Sequence, residues 1–504
     1  MQMKAIIIGG GIGGLGTAAL LAKSGVEVTV LEKNEMMGGR ASVFEAKGFR
    51  FDMGPSWYLM PEIFDQYFAL LNEDIRDYIE LIRLSPSYRI TYEGNAKQVD
   101  MFADLSRDKP TIERLEPGAG AKLDSYLAAS KVKYDIATNR FLYKNYSSIK
   151  DFITPEVILN GPRLSVFQTM DRYISKRFKS QEVQQLLQYP LVFLGASPYN
   201  APALYSLMSH IDFDQGVFYP QGGMYTLIEA MVKIGAKNGV TFRPNSEVSR
   251  ITVVEGVANG VELADGTFVA ADIVISNADM HHTETRLIGA QYRSQSDSYW
   301  QKQVLAPSAL LIYLGVKGRL PSLVHHNLRF SKDWKSNFED IFGVPAFPSD
   351  PSFYVCAPSI TDPSVAPKGD ENVFILVPIA PKLDYTEAEL AKYADKILAI
   401  MEYEMGCTDL RKNISYQRNF SVKDFEQRYN AFGGSALGPA HTLFQTAAFR
   451  PDTKSKKIDN LYYVGAGTNP GIGLPICLIS AQLVYKRITN DTSSGPLKNL
   501  TPIL

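Results

Sequence analysis

The chain of 504 residues is poor in cysteine, tryptophan and histidine, with three, three and six of each. Cys356, Cys407 and Cys477 lie far apart, and no CxxC or Cys/His ligand spacing occurs. That excludes a disulfide framework and a zinc site of the usual spacing, and no metal is expected. Reduced, buried thiols are expected instead, as in a cytoplasmic protein. Long apolar runs are also missing. The nearest, Leu191–Ala196 and Leu305–Val316, fall short of the ~18 residues of a membrane span and read as buried strands. Ala5–Ile8 runs straight into glycines, which is not a signal-peptide pattern. Net charge is nearly absent too: 52 basic residues face 53 acidic ones. This removes the broad basic excess of a nucleic-acid binder. A protein that is soluble or bound peripherally to a membrane remains.

What is present is a βαβ opening. Ala5–Ile8 reads as a buried parallel strand, Gly13–Lys23 as a helix ended by Gly25, and Val26–Leu31 as a second strand. Further strands are expected at Tyr88–Tyr92 and Gln98–Phe102, at Val240–Ile251 and Val257–Phe268, at Ala271–Asn277, at 308–316 and 371–378, and at Asn460–Val464. Residues 120–190 lack strand alternation and read as helices. Glu387–Gly406 reads as a helix capped by Thr386, and a last helix runs from about Leu474 to Ile488. The tail from Asp491 is expected to fray. The fold class is therefore α/β, α+β overall. A doubly wound Rossmann-like domain (1–83, 215–295 and 451–504) is joined by a mixed β-sheet domain (84–104 and 296–450) and a helical subdomain (105–214).

The turn between the first strand and helix reads Gly9-x-Gly11-x-x-Gly14. The first glycine permits the tight turn, the second lets a pyrophosphate approach the backbone, and the third allows helix and strand to touch. The helix N-terminus then presents free N–H groups to phosphate. Glu32 ends the second strand, 18 residues after Gly14, where a carboxylate accepts hydrogen bonds from a ribose diol. Gly38-Gly39-Arg40 follows at once, two glycines and a cation suited to a second approach to pyrophosphate. Gly54-Pro55-Ser56 makes another tight turn.

These segments, with Tyr463-Val-Gly465-Ala-Gly467-Thr468, resemble the flavoproteins that include amine oxidases, protoporphyrinogen oxidases and carotenoid desaturases. Phe218–Met224, Ser276–Asp279, Gly434–Pro451 and Gly465–Pro475 narrow the resemblance to the bacterial phytoene desaturases. The resemblance implies FAD contacts at Gly9, Gly11, Gly13, Gly14, Glu32, Lys33, Gly38, Gly39, Arg40, Gly54, Pro55, Ser56, Val248, Gly467, Thr468, Gly473, Leu474 and Pro475. It implies desaturation of a linear carotenoid precursor, with hydride passing to the flavin and electrons leaving to oxygen or a quinone. No cysteine occurs in 440–464, so the FAD is expected to be non-covalent. No second GxGxxG follows a strand, so no nicotinamide site is expected. Other flavin oxidoreductases of the fold, or a prenyl-lipid-binding protein, are the alternatives.

No catalytic residue is assigned. Asp52 either takes a proton or caps a turn. Trp57 and His441 either line a substrate channel or pack in the core. The pairs His281-His282 and His325-His326 are expected to point apart in loops. Residues 122–180 carry eleven Lys/Arg against five acids, interleaved with aromatics such as Phe141, Tyr143 and Tyr146. That segment is either a membrane-docking face for a lipid substrate or a solvated helical surface.

Overall fold

The computed structural model describes residues 2–94, 98–146, 164–446 and 449–503. Its first layer is an all-parallel sheet of five strands. The order is Leu461–Tyr463, Ile273–Ser276, β1 (Lys4–Ile8), β2 (Glu27–Leu31) and Thr241–Arg243. Its inner strands are buried on both faces, under helices on one and against the antiparallel sheet of Val248–Val254, Val257–Leu263 and Phe268–Ala270 on the other, while the edge strand Thr241–Arg243 is partly exposed. On one side lie α1 (Ile12–Lys23), the helix Tyr225–Lys237 and the last helix, Leu474–Thr489. Gly16 is the close contact there: a Cβ on it would meet Ala481 and Leu478, each at 3.1 Å.

The second sheet has seven strands, in the order Ile414–Phe420, Ser308–Val316, Glu371–Ile379, Phe353–Cys356, His326–Phe330, Tyr88–Tyr92 and Gln98–Met101. Only the pair His326–Phe330 and Tyr88–Tyr92 is parallel. Period two divides its faces. Leu310, Ile312 and Leu314 pack with Leu390, Ile397 and Met401 of the helix Glu387–Glu404. Each such buried side chain contributes about 1.5–3 kcal/mol. Ala309, Leu311 and Tyr313 face the opposite way, into the core shared with the helices Ala119–Ile136 and Gln181–Gln188. Thr386 and Glu389 form the expected capping box.

Three expectations change. Val240–Ile251 is not one strand. Pro244, which has no N–H, and Asn245, at φ 53°, break it between the parallel sheet and a separate antiparallel sheet that starts at Val248. Leu191–Ala196 forms a 3-10 turn with a left-handed Gly195, not a strand. The tail is held rather than frayed: Gln66 Nε2 donates to Leu497 O, and Ile503 N to Ser24 O, at 2.8 and 2.9 Å. Of the basic aromatic segment, 147–163 lies outside the described residues.

Candidate functional site

Three backbone segments converge at the C-terminal ends of the parallel strands. The β1–α1 turn has Gly9 at φ 94°, and Gly10 N donates to Glu32 Oε2 at 2.7 Å. The Gly38-Gly39 turn lies against it, with Gly38 N donating to Gly10 O at 2.7 Å. From the other side comes Gly465, at φ 99°, leading to Gly473 and the last helix. Asn277, at the end of its strand, sits in the middle. A Cβ on Gly11, Gly13 or Gly465 would come within 2.6–2.8 Å of its carboxamide. A Cβ on Gly14 would lie 2.3 Å from Gly9 O, so that glycine serves the helix–strand contact.

This cradle fits a dinucleotide with a flavin. Both α1 and the last helix start without a side-chain cap and without an acid in the first turn, so their N–H groups and dipoles are available to anionic groups. Arg40 Nε is buried with no partner, a cation held where a pyrophosphate would complete its bonding. Glu32 is buried. Its Oε1 accepts from Asn34 N and Nδ2 at 2.9 and 2.8 Å, and with Gly10 N on Oε2 one lone pair of that oxygen is left for a ribose hydroxyl.

The cradle opens into a continuous cavity of about 830 Å³. Gly9, Gly11, Gly13, Glu32, Lys33, Gly38, Gly39, Arg40, Gly54, Pro55, Ser56, Val248, Gly473, Leu474 and Pro475 all line it, as do Trp57 and His441. Gly14, Gly467 and Thr468 do not. Thr468 is buried, with Oγ1 donating to Pro451 O at 2.7 Å, and Gly467 lies against Met280. Lys33 lines the cavity, yet its Nζ reaches Gln427 O and Asn430 Oδ1 at 2.8 and 3.1 Å. Gly465 and Ala466, within the segment 463–468 read as resembling a flavoprotein motif, also line the cavity, as does Asn277, which the sequence reading did not assign to the cofactor. The block Ser276–Asp279 was the available signal, a polar stop after the three apolar strand residues Ile273–Ile275.

Beyond Trp57 the cavity follows the inner face of the second sheet, past Ala309, Leu311, Leu328 and Leu376, to Trp334 and Phe338. Another arm reaches Leu142, Leu164 and Phe167, close to Leu443 and Phe449. Phe167 is 94% exposed, Phe444 74% and Phe449 47%, and the last two rings pack 5.9 Å apart. Among the described residues, no helix is long and apolar enough to cross a membrane.

Asp52 does not line this cavity. Its oxygens accept from Met224 N and Tyr225 N at 2.7 and 3.1 Å, capping the helix Tyr225–Lys237, and burial pushes its carboxyl up to about 6. His441 is buried against Tyr205, and burial holds its imidazole well below the ordinary range. His325 and His326 do not point apart. Their rings stack edge-on at 4.4 Å, and one nitrogen of each lies within 4.8 Å of the other's and of Cys356 Sγ. His281 stacks on Phe432 at 3.9 Å, and His282 lines the cavity. The basic segment is not one surface: Lys133 is buried, donating to Ala203 O and Ser206 Oγ.

A glycine cradle, an arginine with an unpaired Nε and two uncapped helix N-termini on a Rossmann-like parallel sheet define a flavin-nucleotide oxidoreductase. The comparisons agree with that class. The family model for flavin containing amine oxidoreductase matches residues 12–488. The chain is 45% identical over 487 residues to a carotenoid 3,4-desaturase of Haloarcula japonica, covering 96% of this chain and 98% of that one. It is 34% identical to a zeta-carotene-forming phytoene desaturase of Myxococcus xanthus, covering 96% and 93%. A solved putrescine oxidase superposes with a TM-score of 0.64 at 13% identity, covering 97% and 99%, and this shows the fold alone. The chain belongs to the flavin-containing amine oxidoreductase family, among its carotenoid desaturases, and its cofactor is FAD.

Proposed function

We propose that this protein desaturates a linear carotenoid. The observation that carries the reading is the continuity of the FAD cradle with an apolar channel along the second sheet. Bound FAD supplies the hydride acceptor. The chain's own part is to hold the polyene straight against it, with Ser56 and Trp57 at the junction and Ala309, Leu311 and Leu376 along the run, and to keep water out. Electrons leave to an external acceptor, oxygen or a quinone, since the described residues form a single nucleotide cradle.

The 45% identity to a 3,4-desaturase, against 31–34% for the phytoene and diapophytoene enzymes, favours a new double bond near the end of an already conjugated chain. Offering the FAD-loaded protein phytoene and a conjugated linear carotene, with chromatography and mass analysis of products, tests both levels. Loss of two hydrogens from the conjugated substrate is expected. No change in either substrate refutes the reading.

The exposed Phe167, Phe444 and Phe449, next to the second arm of the cavity, support docking on a bilayer from which the substrate is drawn. Replacing all three by Asp should reduce co-sedimentation with liposomes of zwitterionic and anionic lipid by about a hundredfold or more, at roughly 1 kcal/mol or more per lost aromatic. Undiminished binding rejects this face.

A further inference from the structure

Desaturation removes a hydride and a proton from neighbouring carbons. The flavin accounts for the first, and Asp52, spent on the backbone N–H groups of Met224 and Tyr225 and absent from the cavity wall, does not serve for the second. Apart from Glu32, held in the cradle, a buried carboxyl lies just behind the channel wall. Asp212 lies in the π-helical turn Ile211–Gln215, a local irregularity that often marks a functional position. Its Oδ2 accepts from Tyr88 Oη at 2.8 Å and its Oδ1 from Tyr189 Oη at 3.0 Å. Among the described residues no cation pairs with it, although a buried carboxylate ordinarily has such a partner. Ile211, before it in the chain, and Tyr189 both line the cavity. The Tyr189 ring lies 6.4 Å from the ring of Trp57, which directly follows the Gly54–Ser56 turn beside the cofactor cradle.

We propose that Tyr189 and Asp212 form the proton-accepting relay of the desaturation, a proposal that rests on the desaturase reading above. Once hydride has left one carbon, the C–H bond of its neighbour is strongly acidic, so a hydroxyl oxygen backed by a carboxylate suffices as the base. That C–H bond breaks, and its electron pair becomes the second bond of the new C=C. The proton goes to Tyr189 Oη, while the phenol's own proton passes to Asp212 Oδ1. Tyr88, on the other oxygen, holds the carboxylate in line.

The electrostatics suit the task. Burial pushes the Asp212 carboxyl up to about 7, opposed by the two tyrosine hydrogen bonds, so it is a competent acceptor near neutral pH. The ionisable groups facing it are Tyr88 from its strand, Tyr189 from the 3-10 turn Tyr189–Leu194 and, as a weaker like charge, Asp108 from the helix Leu105–Leu115. On its own turn, Asp214 is engaged by His210 at 2.5 Å. Both tyrosines are held far above the ordinary phenol range by burial, so they pass protons without ionising. With Asp212 protonated the relay is full, and turnover should fall as pH drops below about 7.

The test uses the FAD-loaded protein with a linear carotene in vesicles, together with infrared titration of the carboxyl band in the same protein without substrate. In the wild type a protonated carboxyl band should titrate near pH 7, and D212N should lack it. D212N and Y189F should lower kcat about 10²-fold or more at about pH 8, remove its pH dependence and leave KM within about twofold. Y88F removes a bond to the charged form and loosens the carboxylate, so it should lower kcat less than D212N does and move the pH break upward. It carries the test if D212N fails to hold FAD. Wild-type turnover with the same pH profile in D212N, Y189F and Y88F overturns the relay alone. A wild type that converts no linear carotene overturns the desaturase reading and the relay with it.

Discussion

The two ends of the cavity are built on opposite principles. At the parallel sheet the site is made of backbone: glycines that let chain segments touch, and helix ends that leave N–H groups open. Along the seven-stranded sheet it is made of side chains from positions scattered over 250 residues and more, from Trp57 to Leu376. The first kind of site tolerates almost no added atom, because what a Cβ would strike is backbone or the half-buried carboxamide of Asn277. The second tolerates exchange of one apolar group for another, provided the channel keeps its bore.

The sharpest way to break this contrast is at Gly13. A Cβ there would sit 2.8 Å from Asn277 Oδ1 and 3.1 Å from Gly465 Cα. Gly13→Val should therefore force the first and third backbone segments apart. With about 1–3 kcal/mol of overpacking and the loss of at least one charge-assisted phosphate bond, FAD affinity should fall about 10³-fold. The flavin absorbance of the purified protein reads this directly, and a yellow Gly13→Val protein would contradict the cradle. A smaller effect belongs to the channel. Ala309 is buried on the inner face of its strand, and Ala309→Leu narrows the bore. FAD content should stay at wild-type level while kcat/KM for the carotene falls about 10–100-fold, the value of one to a few misplaced methylenes. Loss of FAD together with activity would mean that the two ends are not separable.

The same contrast sets what was legible in the sequence. Glycine spacing, an acidic residue at a strand end and a following Gly-Gly-Arg are local patterns, and most residues read from them do line the cavity. Gly467 and Thr468 do not line the cavity while Gly465 and Ala466 of the same turn do, because a glycine-rich turn does not say which of its residues faces inward. Asn277 was overlooked because its role, spacing three glycine segments, exists only once β1 and Ile273–Ser276 lie side by side. The channel was illegible for a related reason. Its walls are ordinary strand residues, and period two says which residues share a face but not which face is hollow. The buried pair of tyrosines on Asp212 spans 124 residues on one side and 23 on the other, with no local signature. The breaks at Pro244-Asn245 and the docked tail were open to a stricter reading, since a proline inside an expected strand and the apolar Leu497, Leu500 and Ile503 were visible throughout.

Asp52 separates the two carboxyls most finely. Like Asp212 it is buried with a raised carboxyl, but its bonds go to helix N–H groups rather than to a cavity wall. Its value is raised from 3.8 to about 6 chiefly by burial, against the two backbone bonds and Arg50. A raised acid binds more protons folded than unfolded, so its contribution to stability is complete below about pH 4 and is lost as pH rises through about 6. Asparagine caps a helix nearly as well and does not titrate. The melting temperature of D52N relative to wild type should therefore climb by about 1–2 °C between pH 4 and pH 7, as scanning calorimetry can measure. A relative melting temperature that falls over the same interval would mean that Arg50 and the helix N-terminus stabilise the charged cap more than burial opposes it. Asp52 would then be an ordinary ionised cap, and Asp212 would be the only one of the two whose burial is left uncompensated.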